Sequence, residues 1–422
     1  MTARELAEAA FARAVGACAL DRRVAAALAG LDPPLPAARR RLGIAIGKGA
    51  LAMARGASVD RGIAVVPAGQ GASAGSAPAQ EAPAGWRVLA ASHPTPDERS
   101  LAAGRAVHEL AASAAADDVV IALVSGGASA LVEVPRVPFG EFRALASALM
   151  ASGAPIDELN TVRGALSELK AGGLALACAA PIVTLVASDV IGDRLDVIGS
   201  GPTIGPWLSA APGAPVDVGH PRDARRRAAI AILERHGLAV PAVLASPIAP
   251  YQVARADRAL LIAPMAAFAD ATCEALAAAG LPARRLDPPL QGDVADAARR
   301  LAAAAAPLVA WGEPTLRVPA DHGDGGRAQQ LALALARLVR GTERALLVAG
   351  TDGVDGPPPR DGRPPPAGAF VDGGTWDAIA AAGIDPARAL ARCDAGPALA
   401  AAGALFVSGP TGINHADVVI SL

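Results

Sequence analysis

Of 38 basic residues only two, Lys48 and Lys170, are lysines. Lys48 sits between glycines in "AIGKGA" (45–50), directly after an apolar run that reads as a strand. A compact ammonium at a strand end suits a phosphoryl oxygen or a carboxylate, where a guanidinium is too large. Spacing alone leaves a solvated turn lysine equally open. A second stretch, "SGGASA" (125–130), ends another apolar run. Its glycines allow close approach of a ligand to the backbone, and a following helix start would favour an anion. Neither GK[ST] nor GxGxxG is present, so it is no Walker loop and no dinucleotide fingerprint. A plain tight turn explains the same residues.

Acidic residues end three further runs: Asp189 and Asp193 in "ASDVIGD", Glu313 in "WGEPT", Asp352 and Asp355 in "AGTDGVDG". Carboxylates at strand ends suit Mg2+, which takes a few protein oxygens and completes its shell with water and substrate phosphates. Each alone is more often a turn or cap residue. Arg327, in "HGDGGRAQQLALALARLV" (322–339), opens a strongly helical run. A cation there opposes the helix dipole, and a bound anion would reverse that cost. His93, in "ASHPTPDERS", follows a strand and could hydrogen-bond a substrate or serve the turn. "GPTGINHADVV" (409–419) is one more turn that could bind a ligand or close the fold. No Ser-His-Asp or Cys-His set can be assembled.

Strand, polar turn, Ala/Leu-rich helix, strand is the pattern that must position these residues, and it predicts parallel α/β layers with ligands at the carboxyl strand ends. At 422 residues two domains are expected, and a Pro-rich stretch over 238–257 offers a boundary. The segment 68–85 reads as a surface loop and 356–368 as an extended Pro-rich one. With 3% aromatics the core must pack through Ala, Leu and Val. A net charge of −2 with interspersed signs excludes the basic footprint of a nucleic-acid binder. Cys18, Cys178, Cys273 and Cys393 have neither disulfide-framework nor zinc spacing. The first twenty residues read as an amphipathic helix rather than a signal peptide, and no run has membrane-spanning character, so a cytoplasmic protein is expected.

In chain order, "AIGKGA", "HPTPDE", "VSGGASALVE", "LNTVRGALSELKAGGLA", "SDVIGD", "GSGPT", "GEPT", "GGRAQQLALALA", "GTDGVDG" with "AGAFVDG", and "TGINHAD" resemble the glycerate 2-kinase family whose C-terminal part is the MOFRL domain. The resemblance covers nearly the whole chain. It implies a Rossmann-like N-terminal domain with a parallel sheet flanked by helices (1–240), a C-terminal α/β MOFRL-type domain (241–422), and an active site in the cleft between them. It also implies ATP- and Mg2+-dependent phosphorylation of D-glycerate, or a related hydroxy acid, to 2-phosphoglycerate. Lys48 and Arg327 match the family's paired basic catalytic residues. Ser125, Gly126, Gly127 and Ser129 would hold phosphate oxygens. Asp189 and Asp352 would hold Mg2+ or the acceptor hydroxyl, and His93, Asn160, Arg163 and Glu313 would contact substrate. Homo-oligomerisation is compatible with this; nucleic-acid or membrane partners are not expected.

Several motif positions depart from the family. Ala128 replaces a third glycine, Gly164 and Ala165 replace Lys and His, and Gly173 replaces Arg. Asp324, Ala328 and Gln330 replace Lys, Asn and Glu. Charge-assisted contacts are worth ~1.5–3 kcal/mol each. The losses therefore admit an alternative: a catalytically silent member that binds a nucleotide or sugar acid as a sensor or partner. A nicotinamide-dependent oxidoreductase fits the α/β pattern but lacks a fingerprint loop.

Overall fold

The computed structural model describes residues 1–68, 82–209, 215–249, 252–360 and 362–422. Most of the expected 68–85 loop lies outside them. The chain divides into two compact units, residues 20–262, and residues 1–19 together with 263–422.

The first unit holds β1 (Arg41–Ile46), β2 (Arg61–Pro67), β3 (Trp86–Ala91), β4 (Val119–Val124) and β5 (Ile182–Ala187), with a short β6–β7 hairpin (Val216–Asp217, Gln252–Val253) and β8 (Arg258–Ala263). Its sheet runs β3-β2-β1-β4-β5-β8, and the pairs among β1 to β5 are parallel. The strands β4, "VVIALV", and β5, "IVTLVA", are buried at every residue. Both faces of a central parallel strand are covered, so an unbroken apolar run is what such a strand needs. Trp86 fits because Gly43 and Gly62 lack side chains: a Cβ on either would lie 2.4 or 2.6 Å from its indole ring. A separate helical cluster joins Phe142, Leu149, Leu159, Val162 and Leu233. It fixes the helix Ile156–Ala165 beside the helix Gly219–Arg235. Each large side chain buried there contributes ~1.5–3 kcal/mol.

The second unit holds β9 (Arg284–Leu290), β10 (Leu308–Gly312), β11 (Ala345–Gly350), β12 (Gly368–Asp372), β13 (Leu405–Phe406) and β14 (Asp417–Ser421), in the order β13-β12-β11-β14-β10-β9. Only β9–β10 is parallel, and the other pairs are antiparallel. Parallel layers were expected throughout; here the C-terminal strand β14 inserts between β10 and β11 and reverses direction. The N-terminal helix Ala3–Ala17 forms as expected, with a Thr2–Glu5 capping box. Its Phe11 packs edge-on against Phe268 and Phe406, both at 5.1 Å. Thus residues 1–19 go with the C-terminal unit, and β8 extends the first sheet. The break falls at 262/263 where the sequence reading had placed it at 240/241.

Candidate active site

In the first unit the turns after β1, β3 and β4 meet. The N–H of Lys48 donates to the Gly126 carbonyl at 2.8 Å, and the N–H of Gly49 donates to Ser125 Oγ at 2.9 Å. Ser125 is buried, and a Cβ on Gly47 would lie 2.1 Å from its hydroxyl oxygen, so the two turns interlock through that glycine. Gly127 has φ +82°, the left-handed region that favours glycine. A Cβ there would stand 3.1 Å from the His93 ring and 3.4 Å from Lys48 Cγ. Lys48, His93 and the glycine turn therefore share one place. Among the described residues, the N–H groups of Gly126 and Gly127 find no protein acceptor. Such unsatisfied turn amides are suited to an anion.

Two expectations about this turn change. The helix beyond it is a single turn, Ala128–Leu131, so any anion would be held by turn amides rather than by a helix dipole. Ser129 is already engaged: its hydroxyl pairs with Ser200 Oγ at 2.8 Å, and its carbonyl accepts from Arg163 at 3.0 Å and Lys170 at 3.1 Å. Ala128 is accommodated where the family has glycine. The left-handed position is Gly127, and Gly199 makes room for the methyl, since a Cβ on it would lie 2.9 Å from that of Ala128.

Beneath the turn, Lys170 bonds Glu133 at 2.7 Å, with Arg163 4.0 Å from the same carboxylate and Ser167 donating to it at 2.5 Å. Burial lowers the pKa of Lys170 despite this partner. Arg163, expected to meet substrate, donates to the carbonyl of Ser129. Asn160 lines a cavity of about 240 Å³ with Thr161, Ser200 and Arg225. Asp189 follows β5, partly buried.

In the second unit Arg327 opens the helix Arg327–Leu338. It grips Asp417 through Nε at 2.6 Å and Nη2 at 3.0 Å, and Glu313 through Nη1 at 2.9 Å. The first helix amides, which are buried, are capped by Asp355, which accepts from the N–H of Ala328 at 2.9 Å and of Gln329 at 2.7 Å. Protein carboxylates thus offset the cost of a cation at this helix start, the task the sequence reading assigned to a bound anion. Glu313 serves Arg327 in the same way. Burial opposes the charge on Arg327, yet the bonds to Asp417 and Glu313 raise its pKa. Burial pushes the Asp417 carboxyl up, Arg327 opposes this, and Glu313 and Asp352 add repulsion. Burial, with Asp417 nearby, raises Asp355 to about 6.

The glycines before Arg327 have local reasons. A Cβ on Gly326 would lie 2.3 Å from the Asp355 carboxyl, and one on Gly323 would lie 2.1 Å from that of Asp394. Asp324 pairs with Arg360 at 2.9 Å, and Gln330 donates to the Leu390 carbonyl at 2.7 Å. Asp352 accepts from the N–H of Val354 at 3.1 Å. The "TGINHAD" turn closes on the same edge, with the His415 N–H donating to Thr351 Oγ1 at 2.7 Å.

Of the three acidic strand ends, two gather here: Glu313 after β10 and Asp352 after β11, on either side of Asp417 at the start of β14. Asp189 belongs to the other unit. Among the described residues, no group of three or more His, Cys, Asp or Glu is arranged to hold a metal. One or two carboxylates completed by substrate phosphates remain a donor set that Mg2+ accepts. Sequence reasoning missed Asp417 and Arg225. The first had a signal, as the last acid before the final strand; the second stands unmarked in a run of three arginines.

A strand-end site of this kind, on an α/β unit joined to a mixed-sheet unit, defines a two-unit small-molecule enzyme. Residues 306–417 match the MOFRL family, and residues 3–211 match a domain of unknown function, DUF4147. The D-glycerate 2-kinase of Thermotoga maritima is 33% identical over 405 residues, 90% of this chain and 89% of that protein. A putative hydroxypyruvate reductase of Agrobacterium vitis is 34% identical, over 94% and 92% of the two chains. The crystal structure of glycerate kinase from Thermotoga maritima superposes with a TM-score of 0.81 at 31% identity, covering 99% of this chain and 98% of that one. The chain belongs to the glycerate 2-kinase family, phosphotransferases that act on an alcohol group. Among the described residues no helix is long and apolar enough to cross a membrane.

Proposed function

We propose that the protein transfers the terminal phosphoryl group of ATP to the 2-hydroxyl of D-glycerate, or of a related small hydroxy acid, giving 2-phosphoglycerate and ADP. The supporting observation is the interlocked turn at Gly47–Gly49 and Ser125–Gly127, with two amides that find no acceptor among the described residues, beside Lys48 and His93. Phosphoryl transfer asks mainly for positioning and charge neutralisation. In this reading the amides of Gly126 and Gly127 hold phosphate oxygens, and Lys48 neutralises charge on the transferred group. The acceptor oxygen bonds to phosphorus as the bridging P–O bond breaks and ADP leaves with the bridging oxygen, and the hydroxyl proton passes to the His93 imidazole beside the same turn. Arg327, kept charged by Asp417 and Glu313, adds the second cation. Mg2+, held through Asp189 or Asp352 and substrate oxygens, would screen the phosphates. Ser129, Arg163 and Glu313 act as supports for these groups; Asn160 contacts the acid.

A second reading, ligand binding without turnover, draws on the engagement of Arg327 by two carboxylates. An ADP-release assay with Mg·ATP and a panel of hydroxy acids separates the two. The proposal expects turnover on D-glycerate with the phosphate on the 2-hydroxyl by phosphorus NMR. Silence from folded protein, with ligand-induced stabilisation only, would establish the second reading. NADH oxidation with hydroxypyruvate would instead favour the chemistry named for the Agrobacterium vitis relative.

A further inference from the structure

Beside the glycine turn, entirely within residues 20–262, lies the cavity of about 240 Å³ that Asn160, Thr161 and Ser200 line. It adjoins the turn through the Ser129–Ser200 hydroxyl pair. Its backbone is strained: Ala171 (φ +54°) and Ser200 (φ +63°) both line it in the left-handed region that residues with a Cβ avoid. Their strain is locked in by the Ala171 N–H donating to the Ser200 carbonyl at 2.9 Å. Strained residues persist where the surroundings over-determine them, and such places concentrate at ligand sites.

The cations lining this cavity are paired, with the exception of Arg225, among the described residues. Lys170 is paired with Glu133, and Arg194 is paired with Asp196 at 2.6 Å. Arg225, partly buried on the helix Gly219–Arg235, makes no hydrogen bond or ion pair among the described residues. Its two neighbours in sequence are satisfied, since Arg226 and Arg227 both bond Asp223. Burial lowers the pKa of Arg225, with Arg222 adding to the repulsion and Asp196 only partly offsetting it. The side chain lies over Gly164, where a Cβ would be 3.3 Å from its Cδ. Gly164, the position of a family lysine, thus clears the space that Arg225 occupies, and the cation arrives from another helix.

We infer that Arg225 is a specificity-determining residue: its guanidinium binds the carboxylate of the hydroxy acid in this cavity, with Asn160 and Ser200 placed to meet the acid's hydroxyls. A carboxylate matches the planar fork of one arginine. A triphosphate would meet that single uncommitted cation while facing Asp157 and Asp196 on the cavity wall. The cavity therefore suits a small acid of one negative charge rather than the nucleotide. The inference deepens the proposed function and rests on it for the identity of the acid.

The test compares Arg225→Gln and Arg225→Lys with the wild-type full chain, after thermal melting has shown each to be folded. KM for D-glycerate should rise roughly 10- to 100-fold in Arg225→Gln, with KM for ATP within about twofold, and Arg225→Lys should recover part of the loss. Gly164→Leu, which fills the space beside Arg225 while leaving the charge, should raise the same KM. Unchanged KM for D-glycerate, or a rise confined to ATP, would overturn the assignment. Titration calorimetry with D-glycerate alone, and with uncharged glycerol as control, reads the site without turnover. Binding of glycerate but not glycerol, lost in Arg225→Gln, upholds the inference even if the ADP-release assay is silent. Equal binding of both, or none to the wild type, sinks it.

Discussion

Two glycine-rich turns, "VSGGASA" and "HGDGGRA", look alike in sequence, yet they pack against different partners. After β4, Gly126 and Gly127 present N–H groups with no protein acceptor among the described residues, and Ser125 is tied to the Lys48 turn. Before the helix Arg327–Leu338, Asp355 accepts from the amides of Ala328 and Gln329 beyond the glycines, and the glycines are small because Asp355 and Asp394 press against them. One turn packs against the Lys48 turn and the His93 ring, the other against carboxylates the chain supplies. Glycine before a helix reports close approach, and only the tertiary partner decides whether the approaching group is protein or ligand.

The sharpest structural test of the first turn is its foundation. Lys170→Met leaves the buried Glu133 carboxylate without its ammonium, which should cost on the order of 3–5 kcal/mol. The double variant Lys170→Met, Glu133→Gln should recover much of it, and equal losses in single and double variants would show that the pair is not what holds the turn. For the second turn, Asp355→Ala removes the cap from two helix amides and should cost about 2 kcal/mol in chemical denaturation. A loss in KM for ATP with no loss in stability would reverse the assignment of the two turns.

Acidity discriminates between them as well. Asp355 titrates near 6 in the folded chain, against an ordinary value near 3.9 in an unfolded one. Between pH 4 and 6 the native state keeps a proton that the unfolded chain releases, so the proton-linked part of its stability falls as pH rises and is lost above about 6, while the cap to the helix amides remains. The shift corresponds to ~3 kcal/mol. The difference in unfolding free energy between wild type and Asp355→Asn should slope across that window and be flat above it. A flat difference throughout would place the carboxylate in solvent. The smallest effect is expected from Ala128→Gly, which restores the family residue at a position already helical. KM for ATP should move by less than about twofold, and a large gain would mean that the methyl obstructs the turn.

Much of this was legible because parallel strands announce themselves. Apolar runs with both faces buried end at their functional turns, so Lys48, His93 and Gly127 could be named before their meeting was known. The second sheet was harder. Asp417 reaches Arg327 only because β14 runs antiparallel between β10 and β11, a long-range pairing that no local pattern records. Arg225, Arg226 and Arg227 form a run that reads as a solvated helix face. Their different fates depend on Asp223, one helical turn back, and on Gly164, on another helix. At Gly164 the local sequence records the absence of a family cation, but not that Arg225, from another helix, occupies the space beside it.

The measurement closest to the centre of the account is steady-state turnover of D-glycerate with Mg·ATP by Lys48→Met beside wild type, with melting temperatures for both. The account predicts a loss of roughly 10²–10³-fold in kcat or more with an unchanged melting temperature, because Lys48 serves the transferred phosphoryl group and not the fold. Turnover like that of wild type would contradict it, and would move the chemistry away from the Lys48 turn altogether.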